Sequence, residues 1–313
     1  MHRIVFLDRD SLPTRVRAPA FEHVWQEHDA TQAHEVVARL AGATIAITNK
    51  VPLRAAALER LPDLKLVAVA ATGTDNVDLA ACRARGIAVA NIRDYSLVSV
   101  PEHSLALMLA LRRNLCAYAA DVEAGQWETS SRFCLLGHPI GDLAGSRLGI
   151  VGYGALGRRV AALGRAFGMQ VSVTARSRID DGDVTQLTLE ELLQQCDVVS
   201  LHLPLTDETR NMIGARELAL MKPGALLINT ARGGLVDEAA LAEVLANGRI
   251  GAGFDVLSKE PPSPDNPLLR LRLPNFILTP HVAWASAGAM QTLADMLVDN
   301  IEAWAAGTPR NLV

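Results

Sequence analysis

Short apolar runs alternate with amphipathic stretches along almost the whole chain. RIVFLD (3–8), ATIAIT (43–48), KLVAVA (65–70) and IAVAN (87–91) are nearly continuous hydrophobic runs, the pattern of parallel strands covered on both faces. Helical segments fall between them, one opening at Pro52 and one near 76–85. A longer helix is predicted from near Ser99, where Ser99-Val-Pro-Glu102 has capping-box spacing, with apolar positions continuing to about Tyr118. Residues 121–146 show no period and read as an arm or linker. A second series of runs follows: RLGIV (147–151), QVSVT (170–174), DVVSL (197–201), ALLINT (225–230), GAGFDV (251–256) and FILTP (276–280). A last amphipathic stretch fills about 286–306, and no strand follows it. Its apolar face must pack on something already built, so we expect it to return to the first series. The prediction is α/β throughout, with two doubly wound parallel-sheet domains. The first domain is then discontinuous, taking 1–98 and 285–313, and the second is inserted as 99–284.

Composition changes little in this picture. The 313 residues are half apolar and carry a formal net charge of −4, with no basic tract to suggest nucleic acid. MHRIVFLDRD reads as a first strand and not as a signal peptide, and LALMLAL (105–111) is too short to span a bilayer. We therefore expect a cytoplasmic protein with no membrane partner. Cys82, Cys116, Cys134 and Cys196 are scattered and read as small core residues, with no metal-ligand spacing.

The chemistry begins at 149–168, where the strand RLGIV runs directly into Gly152-x-Gly154-x-x-Gly157 and an amphipathic helix. The first glycine allows the tight turn, the second a close approach to a diphosphate, and the third helix–strand contact. The helix N-terminus, with Ala155 and Leu156, then offers its N–H groups and positive dipole end to phosphates. Three polar residues stand at or near the carboxyl ends of other strands, where ligands of open α/β sheets bind. Arg232 follows ALLINTA, Asp255 closes GAGFDV with Glu260 soon after, and His281 follows FILTP. Taken singly, each has a plainer reading: a helix cap, a core-capping aspartate, a solvated loop charge, a structural histidine.

GYGALG, LINTARGGLVDEAAL, FDVLSKEPP and LTPHVAWAS resemble the motifs of the D-2-hydroxyacid dehydrogenases, a likeness that runs from about residue 43 to about residue 300. Within that family NKV (49–51), AATGTDNVDL (70–79), residues 95–103 and HVAWAS (281–286) are most similar to glycerate dehydrogenases, also called hydroxypyruvate reductases. The resemblance implies a flavodoxin-like substrate domain beside a Rossmann cofactor domain, and a homodimer built around the 99–140 arm. It implies reduction of a 2-keto acid to the D-2-hydroxy acid. His281 is then the general acid, paired with Glu260, whose carboxylate favours the imidazolium. Arg232 binds the substrate carboxylate through its planar fork. Backbone N–H groups at Thr72 and Gly73 hold the other side of that carboxylate. Lys50 stands where the family often has a substrate-facing cation, although an exposed loop lysine is an equal reading. Asp255 would bond the nicotinamide amide, and Trp284 would wall a small pocket or pack at a hinge. Further cofactor-side positions are expected at His202, Pro204, Thr209, Thr230, Ala231 and His281.

The cofactor pattern departs from the simple NAD form. No Asp or Glu occurs from residue 149 through 179, and Thr174 stands where the acid that binds the ribose 2′-OH would stand. Arg176, Ser177 and Arg178 follow and suit a 2′-phosphate, so NADP(H) is expected over NAD(H). Asp180 and Asp181 come too late for the 2′-OH unless the loop folds back. Hydroxypyruvate and glyoxylate are the expected substrates. No basic cluster near the site suggests a phosphorylated one, and Glu260 argues against the formate dehydrogenase branch, where glutamine replaces it. A dinucleotide-sensing module without turnover is the alternative from another class, since corepressors that bind transcription-factor peptides share this fold.

Overall fold

The computed structural model describes residues 1–313, which divide into two compact units. The first comprises Met1–Ser96 and Ala285–Val313. Its sheet holds β1 (His2–Phe6), β2 (His23–Glu27), β3 (Ile45–Thr48), β4 (Leu66–Val69) and β5 (Ala88–Ala90), all parallel, in the order β2-β1-β3-β4-β5. This is the flavodoxin-like order. Every residue of β3 and β4 is buried, which accounts for their uninterrupted apolar runs. The edge strand β2, HVWQE, has no buried residue and carries no such run, so the sequence pattern passes over it. Three short helices, α1 (Val36–Arg39), α2 (Ala55–Leu58) and α3 (Leu79–Ala84), link the strands. The segment expected from Pro52 becomes helical only at Ala55.

The second unit, Leu97–Trp284, opens with α4 (Ser99–Arg112) and α5 (Leu115–Glu123). Two expectations are corrected here. The capping box at Ser99 does not form: Val98 is the cap, and the Ser99 hydroxyl donates to the Trp284 carbonyl at 3.3 Å. The helix also does not continue to Tyr118, because Asn114 takes the left-handed conformation (φ 49°) and divides it in two. After α5, residues 124–146 hold no helix or strand. The sheet then comprises β6 (Arg147–Val151), β7 (Gln170–Thr174), β8 (Thr185–Gln186), β9 (Val198–Leu201), β10 (Leu226–Asn229), β11 (Gly251–Phe254) and β12 (Phe276–Leu278). The strands are parallel in the order β12-β11-β10-β9-β6-β7-β8, so the topology reverses between β6 and β9, as in a Rossmann sheet. Helices α6 (Ala155–Ala166), α7 (Leu189–Gln195), α8 (Ala215–Leu220) and α9 (Glu238–Ala246) supply the crossovers. Thr188 and Glu191 close a capping box on α7. α4 packs on α6 and across β10 and β11.

The closing helix α10 (Ala287–Ala305) belongs to the first unit and packs on β4. Ser286 caps it, and Leu293, Leu297 and Ile301 recur every fourth residue on its buried face. Cys82 and Cys196 are core residues whose thiols burial pushes up to about 11. Cys116 is exposed and Cys134 only half-buried, so two of the four cysteines are not the core residues expected. No helix is long and apolar enough to cross a membrane.

Candidate active site

β6 delivers the chain into the glycine turn at the topological switch point. Gly152 sits at φ 96°, and a Cβ there would lie 2.5 Å from the His202 carbonyl oxygen, so no other residue fits. A Cβ on Gly157 would lie 2.2 Å from the Gly152 carbonyl oxygen, while one on Gly154 meets no protein atom within 4 Å. Gly154 caps α6 and has no side chain to occupy the first N–H groups, which come from Ala155, Leu156 and Gly157. A close turn, an open middle glycine and an uncapped helix of twelve residues suit a diphosphate.

At the end of β7 the Thr174 carbonyl accepts from Gly152 N–H at 3.0 Å. Arg176, Ser177 and Arg178 are exposed beyond it, and Arg176 pairs with Glu208. Gln186 pins this loop, donating to the Ser177 carbonyl at 3.0 Å and accepting from Ile179 N–H at 2.9 Å. The loop does fold back. The Tyr153 hydroxyl donates to Asp181 at 2.6 Å, and the Arg158 guanidinium stacks 4.4 Å from the Tyr153 ring centroid and 3.8 Å from the same carboxylate. The Tyr153 hydroxyl holds the Asp181 carboxyl below its usual range. Sequence order alone hid this contact between an acid and the fingerprint turn. On the far side, His202 is pushed down to about 4 by burial and is uncharged at neutral pH, with the Ser200 hydroxyl 2.9 Å from its Nε2. The Thr209 hydroxyl donates to the Pro204 carbonyl at 2.8 Å and fixes that turn.

The titratable cluster lies beyond β11 and β12. His281 Nδ1 stands 2.5 Å from Glu260 Oε2, and the other Glu260 oxygen accepts Leu257 N–H at 2.9 Å. His281 occupies the left-handed region at φ 56°, a conformation that costs a non-glycine residue about 1–3 kcal/mol unless its surroundings fix it. Asp255 fixes it. Its carbonyl accepts His281 N–H at 2.8 Å. Its carboxylate, only 1% exposed, accepts Val282 N–H at 2.9 Å, Ala283 N–H at 2.8 Å and the Thr279 hydroxyl at 2.5 Å. His103 completes this network through Thr279 at 3.0 Å. The Trp284 indole N–H donates to the His281 carbonyl at 3.1 Å, which sets the indole against the same turn. Asp255 thus acts as the anchor of the histidine turn, a role that neither His103 nor Thr279 announced in the sequence.

Arg232 is half-buried at the end of β10 and bonds the Ala231 carbonyl at 2.7 Å. Asn229 braces its loop by donating to the Arg232 carbonyl and accepting from Ala231 N–H. Thr230 is held by Ser104 of α4 at 2.9 Å. Gly233 carries the tightest approach in the protein: a Cβ there would lie 1.9 Å from the Leu257 carbonyl carbon. The arginine loop is therefore packed directly on the segment that leads to Glu260. Lys50, Thr72 and Gly73 belong to the first unit. Lys50 is exposed, with its N–H bonded to Asp8 at 2.6 Å, and the Thr72 carbonyl accepts from Asn91 at 2.7 Å.

Residues 105–283 match the NAD-binding domain of the D-isomer-specific 2-hydroxyacid dehydrogenases. The whole chain is 56% identical over 313 residues to a glycerate dehydrogenase of Methylorubrum extorquens, covering 99% of this chain and 98% of that one. It is 35% identical to a hydroxypyruvate reductase of Blautia hydrogenotrophica, covering 93% and 91% of the two chains. Among solved structures it superimposes with a TM-score of 0.85 on an NADPH-dependent glyoxylate/hydroxypyruvate reductase of Sinorhizobium meliloti, at 29% identity and with 100% and 98% of the two chains covered. A nucleotide fingerprint at the switch point, a carboxylate–imidazole pair at neighbouring strand ends and these likenesses agree: the chain belongs to the D-isomer-specific 2-hydroxyacid dehydrogenases, oxidoreductases acting on CH–OH donors.

Proposed function

We propose that the protein reduces hydroxypyruvate or glyoxylate to D-glycerate or glycolate, and catalyses the reverse oxidation, with His281 as the acid–base group. The observation that carries this reading is the Glu260–His281 pair, anchored through Asp255 at the carboxyl end of a dinucleotide-type sheet. NADPH or NADH supplies the hydride when bound at the glycine turn. With Nδ1 engaged by Glu260, His281 presents Nε2 to the substrate and gives its proton to the keto oxygen as charge develops there. In the reverse direction the neutral ring takes the hydroxyl proton. Arg232 binds the carboxylate and polarises the keto oxygen, while Lys50 and the N–H groups of Thr72 and Gly73 serve as further substrate contacts. Trp284 limits the length of the substrate side chain. Val282 and Ala283 already engage the carboxylate of Asp255, so it orders the histidine turn and lines the nicotinamide side.

In this reading the first unit with α10 is the substrate domain, the second is the cofactor domain, and two copies associate through the arm. Phe133 and Leu136, 91% and 75% exposed on that arm, support a covering second copy. The cytoplasm is the proposed compartment. The names of the relatives, glycerate dehydrogenase and hydroxypyruvate or glyoxylate reductase, support the substrate class. Initial rates on hydroxypyruvate with each cofactor test the proposal; binding of cofactor without turnover of either keto acid would leave a sensing module in its place.

NADPH is the proposed cofactor, held at its 2′-phosphate by Thr174, Arg176, Ser177 and Arg178. Arg176→Ala is expected to raise the NADPH Michaelis constant about tenfold and the NADH constant less than about twofold, since a charge-assisted hydrogen bond is worth roughly 1.5 kcal/mol or more. Equal effects on the two constants would reject the 2′-phosphate role.

A further inference from the structure

The first unit has its own switch point. Its order β2-β1-β3-β4-β5 reverses between β1 and β3, which opens a crevice at their carboxyl ends. Two residues past the end of β1 stands Asp8, a carboxylate only 6% exposed. Burial pushes its carboxyl up, against the backbone N–H groups of Asn49, Lys50 and Val51, which favour the charged form. Asn49 N–H lies 2.9 and 3.1 Å from its two oxygens, and Lys50 N–H lies 2.6 Å from the second. Asn76 holds the opposite side of the same turn. Its amide donates to the Thr48 hydroxyl at 3.4 Å, the Asn49 carbonyl at 3.4 Å and the Val51 carbonyl at 3.2 Å.

A buried acid is an expensive way to close a short turn, because desolvation of the charge must be offset by the bonds it accepts. It does accept the backbone N–H groups of Asn49 and Lys50, which an apolar side chain would leave without a partner. What the acid adds is direction: it fixes the backbone N–H of Lys50, an exposed residue two positions past the carboxyl end of β3. We propose that Asp8 is a positioning residue for substrate recognition, which aims Lys50 at the carboxylate of the 2-keto acid, with Asn76 as its counterpart on the loop. This rests on the reading of Lys50 as a substrate contact. Asp8 touches neither substrate nor cofactor, so its effect passes through Lys50.

The test is a double-mutant cycle on the full-length enzyme, read as KM for hydroxypyruvate, kcat and KM for the cofactor. A contact to the unreacting carboxylate that is equally strong in the bound substrate and in the transition state contributes uniform binding, so its loss raises KM and spares kcat. Asp8→Asn is expected to raise KM about tenfold with kcat and the cofactor KM changed less than about threefold. Lys50→Met is expected to raise KM by at least as much. In the Lys50→Met background, Asp8→Asn should then add less than about twofold, as expected for residues that act as one unit. A merely structural aspartate would lower Tm and multiply KM equally in both backgrounds, and that result, or a wild-type KM in Asp8→Asn, overturns the proposal. A wild-type KM in Lys50→Met instead removes the reading beneath it. If Asp8→Asn does not fold, Asn76→Ser frees the other side of the loop and is read in the same cycle with the same outcomes.

Discussion

Replacing His281 with glutamine is expected to lower kcat by about 100- to 10,000-fold, the usual range for loss of a general acid. The dissociation constant for NADPH, measured by cofactor fluorescence, should stay within about twofold, because glutamine leaves the glycine turn and α6 untouched. The backbone at this position needs a control. His281 sits at φ 56°, which asparagine tolerates better than glutamine. His281→Asn should therefore fold at least as well as His281→Gln and lose as much turnover. If the asparagine variant recovered activity that the glutamine variant lacked, the loss would belong to a distorted turn and not to the missing proton. Near-full activity in both would place the proton donor elsewhere.

Much of this architecture was legible because burial and function left the residues few choices. β3, β4, β9 and β10 are buried at every position, so their apolar runs could mean little else. Each fingerprint glycine answers a separate demand, of which the 2.5 Å approach at Gly152 is the plainest. Strand-end reasoning marked Arg232, Asp255 and His281, but it missed Asp8, which ends its own strand run, because no neighbouring motif drew attention to it. The edge strand β2 and the two-residue β8 are too exposed to imprint a pattern. The break in the predicted long helix turns on one left-handed residue, Asn114, flanked by good helix formers on both sides. The return of Asp181 to Tyr153 is set by Gln186 pinning the intervening loop, a tertiary contact with no local signature.

Gly233→Ala is expected to produce the largest loss per atom added. The new Cβ would meet three backbone atoms of Leu257 and Ser258 between 1.9 and 2.3 Å, and no side-chain rotation relieves an overlap with backbone. Overpacking typically costs about 1–3 kcal/mol, and a site that cannot yield belongs at or above the upper end. Thermal unfolding should show a fall in Tm of several degrees, roughly 2–4 °C per kcal/mol for a chain of this size. The kinetic consequence follows from what the glycine joins. Ala231 and Arg232 precede it, and the segment it presses leads within three residues from Leu257 to Glu260, whose carboxylate holds His281 Nδ1. Relieving the overlap moves the arginine loop, the glutamate loop or both, and displacement by about 1 Å can cost on the order of a hundredfold in rate. We expect kcat/KM for hydroxypyruvate to fall about a hundredfold in protein that remains folded at the assay temperature, with cofactor affinity far less affected. Gly234→Ala is the internal comparison. Its Cβ would meet only the Leu205 side chain at 2.9 Å, which can rotate away, so it should cost less in both stability and rate. Equal losses in the two variants would show that general crowding, and not the coupling of Arg232 to Glu260, sets the effect.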